Sequence, residues 1–587
     1  MAAKGKQQEF LDLLASGANY VLVEAPAGTG KTYSCIQAAK CLWDNNMLMP
    51  YQKVLILTFS RNARAQLIKE LSSLSPGDPT RKHIEINNYH SFFKKYLDVY
   101  RDTLGISQPL SVVDDDDYAE LLAAYLEIQR KKLPKGLRSN IFDDFSLENG
   151  HLILKNSQSE FKAKKEKDII RYLDEAFRFT KNTGFICFAQ FGALTCKILQ
   201  SSPSVARAIS HDYPVVILDE YQDTNYYQEQ FVSSILKESR GIFFADRFQM
   251  IYEFRGSAEE RLKQLPKKYL DLKTIEFTEY FRYKDKPDLV DLLTAIRSGT
   301  EFDYSKLTNG KLLSRSVACD PDWHIKKGKS AKTQCSILSK QIFYVCIGQV
   351  SALLKKNKSI AILCRNNNVA SRLAEVFFEN NLYPRSVSDT NDLLKINKIL
   401  KKCLVLETLH TKVPLLLCAV ALCMMDKKID GESVETLMTY TGASLSRKRK
   451  SIFKALNAVI SPHLDSDVLE TCWEVLRKML DVMNNESEQM INYPRKRFVE
   501  HCISKKELSA DDIDKVMMQR QYIDSYTQIT PGLYITTIHQ SKGKEFDRVF
   551  VVDVDSIAVE RNLLYVSHSR MKEALYPIQI KYLGYNH

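Results

Sequence analysis

A loop of small residues at positions 24–32, EAPAGTGKT, has the composition of a phosphate-binding site. Lys31 and Thr32 follow Gly30, where a helix is expected to begin after the apolar run YVLV and the loop. In such a loop backbone N–H groups surround phosphate oxygens, the lysine reaches the β- and γ-phosphates, and the threonine hydroxyl ligates Mg²⁺. The sequence therefore predicts a site for ATP and Mg²⁺. The predicted loop residues are Ala25, Pro26, Ala27, Gly28, Thr29, Gly30, Lys31 and Thr32.

Two acidic residues, Asp219 and Glu220, end a second apolar run, PVVIL at positions 214–218. A strand that ends in this way delivers its carboxylates to the sheet edge where a phosphate loop lies. One carboxylate can then hold Mg²⁺ while the other orients a water molecule toward the γ-phosphate. We therefore expect Thr32 and Asp219 to bind the metal, and Lys31, Asp219 and Glu220 to catalyse hydrolysis.

Six short β-rich runs precede helix-forming stretches, and this alternation predicts parallel sheets covered by helices on both faces. The runs begin near residues 20, 53, 214, 241, 359 and 548. They form two groups, separated near residue 258, and each group is interrupted by a long helical stretch. The predicted fold class is α/β with two parallel-sheet P-loop lobes, each carrying a mainly helical insertion. The predicted segments are 1–95 with 211–258, insertion 96–210, 259–385 with 528–587, and insertion 386–527.

Composition and charge narrow the class of protein. The 587 residues are 44% apolar and 26% charged, which is typical of a folded enzyme and unlike a disordered or fibrous chain. Lys and Arg exceed Asp and Glu by 12, a surplus that suits a nucleic acid partner. The 13 cysteines show no CxxC spacing, which argues against zinc or a disulfide framework and favours a cytoplasmic protein. The longest apolar run, 413–425, is too short for a membrane span and is predicted to be a buried helix.

Four further segments carry a resemblance to a known family. They are FFADRFQMIYEFRGS (243–257), FTEYFRY (277–283), ITTIHQSKGKEFDRVFV (535–551) and RNLLYVSHSRMKEAL (561–575). Together with DEYQDTN (219–225), they make the chain resemble the UvrD/Rep/PcrA group of superfamily 1 DNA helicases, in order along nearly the whole chain. The resemblance implies RecA-like lobes that hydrolyse ATP between them, and 3′ to 5′ movement along single-stranded DNA.

The resemblance also implies roles for individual residues around the nucleotide. Gln8 is placed at the adenine, Phe281 as a stacking partner for a base, and Glu545 at the ribose. Gln249 is placed where γ-phosphate is coupled to DNA. Arg282 is placed at the γ-phosphate and Arg570 as an arginine finger, and both are expected to come from the second lobe. With Lys31, Asp219 and Glu220, these three residues complete the predicted catalytic set.

The nucleic acid partner is expected to be single-stranded DNA or a junction of single and double strands. The residues predicted to contact it are Phe59, Tyr89, His90, Phe254, Arg255 and His539. Exposed aromatic side chains suit this task because bases stack on them without regard to sequence. The basic clusters RKRK (447–450) and RKR (495–497) would suit a duplex backbone.

A second function stays open beside autonomous unwinding. The chain could sense DNA ends or single strands and use ATP turnover to regulate a partner nuclease, as in anti-phage systems such as Gabija. The chain is shorter than the housekeeping members of this family and its two insertions look reduced. The part that handles duplex DNA could therefore be incomplete, which favours this alternative. A fused nuclease domain is not expected, because only seventeen residues follow Arg570. A P-loop GTPase or small-molecule kinase would have no need for Gln249, Arg282 and Arg570 in this order.

Overall fold

A computed structural model describes the chain over twelve ranges. These are residues 5–113, 115–130, 141–148, 151–154, 166–251, 259–319, 329–385, 396–397, 400–401, 476–481, 493–504 and 529–583. The apolar run 413–425, the RKRK cluster and most of the predicted insertion 386–527 lie outside these residues. The chain divides into two compact units, Met1–Asp285 and Lys286–His587.

The first unit is built on a six-stranded, all-parallel sheet with the order β10-β1-β9-β8-β2-β3. Its strands are β1 (Tyr20–Glu24), β2 (Val54–Thr58), β3 (Ile84–Asn88), β8 (Val215–Leu218), β9 (Arg240–Ala245) and β10 (Lys273–Glu276). Alternate residues of one strand enter separate hydrophobic clusters, as Val21 and Leu22 of β1 do. Apolar side chains on both faces explain why the runs read as continuous in the sequence.

Helices cover both faces of this sheet. They are α1 (Gly5–Ala15), α2 (Lys31–Asp44), α3 (Arg61–Ser72), α4 (Tyr89–Tyr100), α8 (Phe191–Ser201), α9 (Pro203–Asp212), α10 (Tyr226–Ile235) and α11 (Glu259–Lys268). On one face Phe10 of α1 packs edge-to-face against Phe244 of β9, with ring centroids 5.5 Å apart. On the other, Phe92 and Phe93 of α4 pack against Phe231 of α10.

The described part of segment 96–210 is mostly helical, as the sequence predicts. Besides α8 and α9 it contains α5 (Asp115–Ile128), α6 (Ile141–Asp144) and α7 (Glu166–Thr183). Four short strands accompany these helices: β4 (Ser111–Val113), β5 (Phe145–Glu148), β6 (His151–Leu154) and β7 (Phe185–Cys187). A hydrogen-bonded cluster of Tyr118, Thr180 and Gln190 lies inside the associated core.

The second unit contains a five-stranded, all-parallel sheet with the order β11-β15-β14-β12-β13. Its strands are β11 (Leu313–Val317), β12 (Ser359–Cys364), β13 (Gly532–Thr537), β14 (Phe546–Val552) and β15 (Met571–Tyr582). Its helices are α12 (Pro287–Ser298), α13 (Lys329–Lys355), α14 (Asn367–Glu379), Tyr493–Ser504, Ile538–Ser541, Val554–Ala558 and Arg561–His568. The predicted class, α/β with two parallel-sheet lobes, is confirmed.

One helix among the described residues, within α13, is long and apolar enough by composition to cross a membrane, over Thr333–Lys355. Its side chains Leu338, Ile342 and Val350 lie in the core cluster that also contains Ile360 and Ile362 of β12. A helix packed in this way on a sheet serves as a core element of the second unit.

The predicted lobe boundary near residue 258 is wrong. Strand β10 falls beyond that boundary but pairs in parallel with β1, from Val21 opposite Lys273 to Glu24 opposite Glu276. The first unit accordingly extends to Asp285. Only Ile275 of the four β10 residues is buried, so this edge strand lacks the continuous apolar run by which the other strands were recognised.

Candidate active site

The loop after β1 has the conformation of a phosphate cradle. The backbone N–H of Ala25 donates to the Ala245 carbonyl at the end of β9, 2.9 Å away, which ties the loop to the sheet edge. Gly28 and Gly30 have φ angles of 88° and 83°, in the left-handed region that favours glycine. The Thr29 hydroxyl donates to the Pro26 carbonyl over 2.8 Å and closes the turn inside the loop. Helix α2 then begins at Lys31, as the sequence predicts.

The lysine and the two predicted carboxylates meet at this loop. Lys31 forms an ion pair with Glu220, and its Nζ lies 3.9 Å from Oδ1 of Asp219. Burial alone would lower the pKa of Lys31, but the charges of Glu220 and Asp219 outweigh burial and raise it. Burial raises the pKa of Asp219, with Lys31 opposing that change and Glu220 adding to it. The structure therefore brings together the three residues predicted to handle phosphate and water.

The backbone at the end of β8 directs these two carboxylates. The N–H of Asp219 still donates to Leu57 of β2, over 2.8 Å, so Asp219 continues the sheet. Glu220 departs from it with a φ of 52°, a left-handed conformation that is unusual for a residue other than glycine. Such a strained position is typical of residues whose direction matters for function. The side chain of Glu220 is thereby aimed at Lys31.

The carboxylate of Asp219 fits the predicted Mg²⁺ ligand. Its Oδ2 accepts a hydrogen bond from Thr58 over 3.2 Å, whereas the buried Oδ1 has no hydrogen-bond partner. A buried carboxylate oxygen left in this state is costly unless a cation completes its environment. Among the described residues, no group of three or more His, Cys, Asp or Glu could hold a metal alone. Mg²⁺ commonly binds through one or two protein oxygens together with phosphate and water, so the pair Thr32 and Asp219 suits it.

Of the two adjacent glutamines in α1, the structure places Gln7, and not the predicted Gln8, against the phosphate loop. Gln8 points to solvent and bonds Asp12 of its own helix, at 2.9 Å. Gln7 is buried, and its Nε2 donates to the Thr29 carbonyl over 3.1 Å. A Cβ added to Gly30 would meet Gln7 at 2.6 Å and the Phe281 ring at 3.4 Å. Gln7 and the partly exposed Phe281 therefore flank the loop.

Arg282 belongs to the first unit and not to the second, as the corrected boundary requires. Its backbone N–H donates to the Gly28 carbonyl over 3.1 Å, and its guanidinium lies 5.7 Å from the centroid of the Tyr283 ring. A Cβ on Gly28 would stand 3.1 Å from the Cβ of Arg282. The expectation that Arg282 arrives with the second lobe is wrong, because the segment following β10 packs directly on the phosphate loop.

Gln249 lies beside this centre in the turn after β9. The side chain is buried, and its Nε2 donates to Oδ2 of Asp246 over 2.9 Å. The neighbouring predicted DNA contacts Phe254 and Arg255 lie outside the described residues. The coupling role assigned to Gln249 stays a prediction, while its place at the same sheet edge as Asp219 follows from the pairing of β8 with β9.

The aromatic residues predicted to contact DNA occupy different environments. Phe59 is half-buried just beyond the end of β2, and His90 is exposed at the start of α4. Tyr89 is 2% exposed and packs in the core against Phe93, so its assignment as a stacking surface is wrong. The structure adds Phe188, which is 43% exposed and lies with its ring 6.1 Å from that of His90. Its local sequence CFAQF gave no signal beyond an aromatic between two helices.

In the second unit, the predicted residues lie in the connections between strands of the sheet. His539 lies in the short helix after β13, and Glu545 stands just before β14, both half-buried. Arg570 is buried, with Nε donating to the Val566 carbonyl over 3.0 Å and an N–H donating to the Ser569 hydroxyl over 2.8 Å. The roles of His539, Glu545 and Arg570 toward DNA, ribose and the γ-phosphate stay predictions.

Comparisons with known proteins define the class. The model of the UvrD/REP helicase N-terminal domain matches residues 6–270, and that of the UvrD-like helicase C-terminal domain matches residues 532–577. Together they cover more than half of the chain. The chain belongs to the UvrD-like family of superfamily 1 helicases, and as an enzyme it is an ATP-hydrolysing DNA helicase of that class.

Curated relatives align along almost the whole chain at low identity. A probable DNA helicase II homolog of Mycoplasma pneumoniae is 22% identical, over 98% of this chain and 84% of that protein. An ATP-dependent DNA helicase Rep of Buchnera aphidicola is 21% identical, over 94% of this chain and 92% of the relative. An ATP-dependent DNA helicase PcrA of Staphylococcus aureus is 21% identical, over 95% of this chain and 80% of the relative.

Proposed function

We propose that the protein is a motor that binds single-stranded DNA, moves along it from 3′ to 5′ with Mg²⁺-dependent ATP hydrolysis, and unwinds the duplex it meets. The observation that carries this proposal is the meeting of Lys31, Asp219 and Glu220 at the phosphate loop of the first sheet. Phosphoryl transfer needs positioned charge more than covalent chemistry, and this set supplies it. Polarity and strand preference rest on the resemblance to the family.

Each member of the set has a distinct task in hydrolysis. Lys31 and the loop N–H groups bind the β- and γ-phosphates, and Thr32 with Asp219 would hold Mg²⁺, which supplies charge neutralisation when it is bound. Glu220 orients the attacking water and accepts its proton. Glu220 is also paired with Lys31. A Lys31 that binds the phosphates would exchange this carboxylate for phosphate oxygens, which leaves Glu220 available for water.

The DNA side of the proposal rests on exposed and half-buried aromatic groups of the first unit. Phe59, His90 and Phe188 offer aromatic surface, and base stacking on such groups contributes about 1–3 kcal/mol per base without reading sequence. The basic surplus of the chain adds attraction to the phosphate backbone. These features favour a partner that is bound irrespective of its base sequence, as a translocating enzyme requires.

The test is steady-state ATP hydrolysis with and without single-stranded DNA, followed by unwinding of duplexes with either a 3′ or a 5′ overhang. We expect strong DNA stimulation and unwinding only from the 3′ overhang. Glu220→Gln should bind ATP normally but lose about a hundredfold or more in turnover, because general base catalysis contributes about 10²–10⁴. Hydrolysis by Glu220→Gln at the wild-type rate would refute the assignment.

A matched control is available in the same unit. The Glu85 side chain is as exposed as that of Glu220, at 20%, and it also pairs with a lysine, Lys95, at 2.9 Å. Glu85 lies on β3, at the far edge of the sheet from β1, so Glu85→Gln should leave turnover within about twofold. DNA-stimulated hydrolysis without unwinding would instead favour an ATPase that senses DNA and regulates a partner nuclease.

A further inference from the structure

A line of hydrogen bonds runs from Glu220 to Gln249 through two residues that the sequence did not single out, Gln222 and Asp246. Gln222 donates from Nε2 to Oε2 of Glu220, and its Oε1 accepts the backbone N–H of Asp246 over 3.1 Å. Asp246 in turn accepts the Nε2 of Gln249 on its Oδ2, at 2.9 Å. Gln222, Asp246 and Gln249 are all at least 95% buried, so water does not replace these bonds readily.

Chemistry fixes the direction of the Gln222 amide. The backbone N–H of Asp246 can only donate, so the amide oxygen of Gln222 must face it. The NH₂ group of Gln222 therefore faces Glu220, whose ionised carboxylate can only accept. One side chain thus satisfies two different partners at its two ends, and reversing the amide would break both bonds.

Gln222 and Asp246, the two inner members of this line of hydrogen bonds, follow the neighbouring strands β8 and β9. Gln222 lies in the single turn Tyr221–Asp223, which begins immediately after Glu220 and β8. Asp246 follows β9 and caps the next turn, since its Oδ1 accepts from the Phe248 N–H at 3.2 Å and its carbonyl accepts from the Gln249 N–H at 2.9 Å. A displacement of the turn Arg247–Gln249 therefore shifts Asp246. Because Gln222 bonds to both Asp246 and Glu220, the shift also changes the position of the Glu220 carboxylate.

We propose that Gln222 is a positioning residue that couples the Gln249 turn to the water-orienting carboxylate. The inference rests on the proposed function, in which Glu220 acts on water and Gln249 responds to DNA. Lys31 binds Oε1 of Glu220 and Gln222 binds Oε2. If Lys31 turns to the phosphates, the bond from Gln222 still fixes the plane of the Glu220 carboxylate, which its left-handed backbone directs toward the site.

The experiment compares wild type with Gln222→Leu in ATP hydrolysis, with and without single-stranded DNA. We expect the KM for ATP to stay within about twofold, because the Gln222 side chain bonds to Glu220 and Asp246 and not to the phosphate loop. The DNA-stimulated kcat should fall about ten- to a hundredfold and the basal rate should fall less, so that the ratio of stimulated to basal rates decreases. A folded Gln222→Leu protein that keeps the wild-type ratio would overturn the proposal, and so would an equal loss of both rates.

Gln222→Glu separates the two ends of the amide. It retains an acceptor for the Asp246 N–H but cannot donate to Glu220 and places a second negative charge beside it. We expect loss of stimulation at least as severe as in Gln222→Leu. Wild-type stimulation in Gln222→Glu would show that the side chain only braces the turn at Asp246, and would refute a role through Glu220.

Gln228 provides a matched control for the loss of a buried amide. It is 3% exposed, and it caps α10 by accepting the Asn225 N–H at 3.0 Å. Gln228→Leu should lower the thermal unfolding midpoint while leaving the DNA-stimulation ratio unchanged. If wild type itself shows no DNA stimulation, both the proposed function and the coupling fail. If wild type is stimulated and Gln222→Leu is stimulated equally, only the coupling fails.

Discussion

His568 gives the second unit a measurable dependence on pH. The imidazole is fully buried at the end of helix Arg561–His568, two residues before Arg570. Its Nδ1 lies 2.9 Å from the Leu564 carbonyl, and its Nε2 lies 3.0 Å from the Tyr304 hydroxyl. The carbonyl requires a proton on Nδ1, and burial favours the neutral ring, in which Nε2 accepts from the Tyr304 hydroxyl. Ser567 also lies at Nδ1, at 2.9 Å, and carries no charge to stabilise a proton.

The sign and size of the effect follow from two pKa values. Burial lowers the pKa of His568 from its ordinary 6.5 to about 4. The unfolded segment therefore takes up a proton first on acidification, so the contribution to stability is complete above pH 6.5 and is lost between pH 6.5 and pH 4. The full loss is about 3 kcal/mol, and lowering the pH from 7.5 to 5.0 removes about 2 kcal/mol.

Hydrogen exchange read by mass spectrometry measures this directly. Peptides covering helix Arg561–His568 should lose about 2 kcal/mol of opening free energy between pH 7.5 and 5.0, after correction for intrinsic exchange rates. In His568→Gln, which does not titrate, these peptides should lose much less. His211, whose side chain is 65% exposed in the first unit, serves as control. In His211→Gln the opening free energy of these peptides should change with pH as it does in wild type. Equal slopes in wild type and His568→Gln would refute the buried neutral imidazole.

Two pairs of variants test residues that the structure reassigned. Gln7→Leu should raise the KM for ATP about tenfold, because it removes the bond to the loop carbonyl, whereas Gln8→Leu should stay within about twofold in the same hydrolysis assay. The reverse order would restore the original assignment. Phe188→Ala should weaken single-stranded DNA binding by about 1–3 kcal/mol in fluorescence anisotropy, while Tyr89→Phe should leave it unchanged because that ring lies in the core. Equal effects of these two variants would contradict the placement of the two rings.

The sheets could be predicted because most of their strands are apolar on both faces. Every one of the six runs identified in the sequence forms a parallel strand, and the phosphate loop and acidic pair lie at strand ends as expected. Strand β10 escaped detection because one of its faces is solvated and its sequence, KTIE, buries a single residue. That omission alone displaced the lobe boundary and, with it, the assignment of Arg282.

The helical spacing of buried residues in α1 distinguishes Gln7 from the adjacent Gln8. Gln7 shares a face of α1 with Phe10 and Leu14, at the spacing of three and four residues that marks a buried helical stripe. Gln8 lies off that stripe. The buried line through Gln222 and Asp246, by contrast, joins residues 24 positions apart through their side chains, and no local pattern in the sequence predicts such a contact.

The crowding of carboxylates around Lys31 has a consequence for which form of the nucleotide can enter. A single ammonium faces Glu220, Asp219 and Asp246, and all three act to raise its pKa. The three carboxylates outnumber this ammonium, and a bare triphosphate would add several more negative charges beside them. A nucleotide that carries a divalent cation would instead add positive charge next to Oδ1 of Asp219, which has no hydrogen-bond partner. Under the proposed function, we therefore expect these acidic groups to favour the magnesium complex of ATP over metal-free ATP as the substrate.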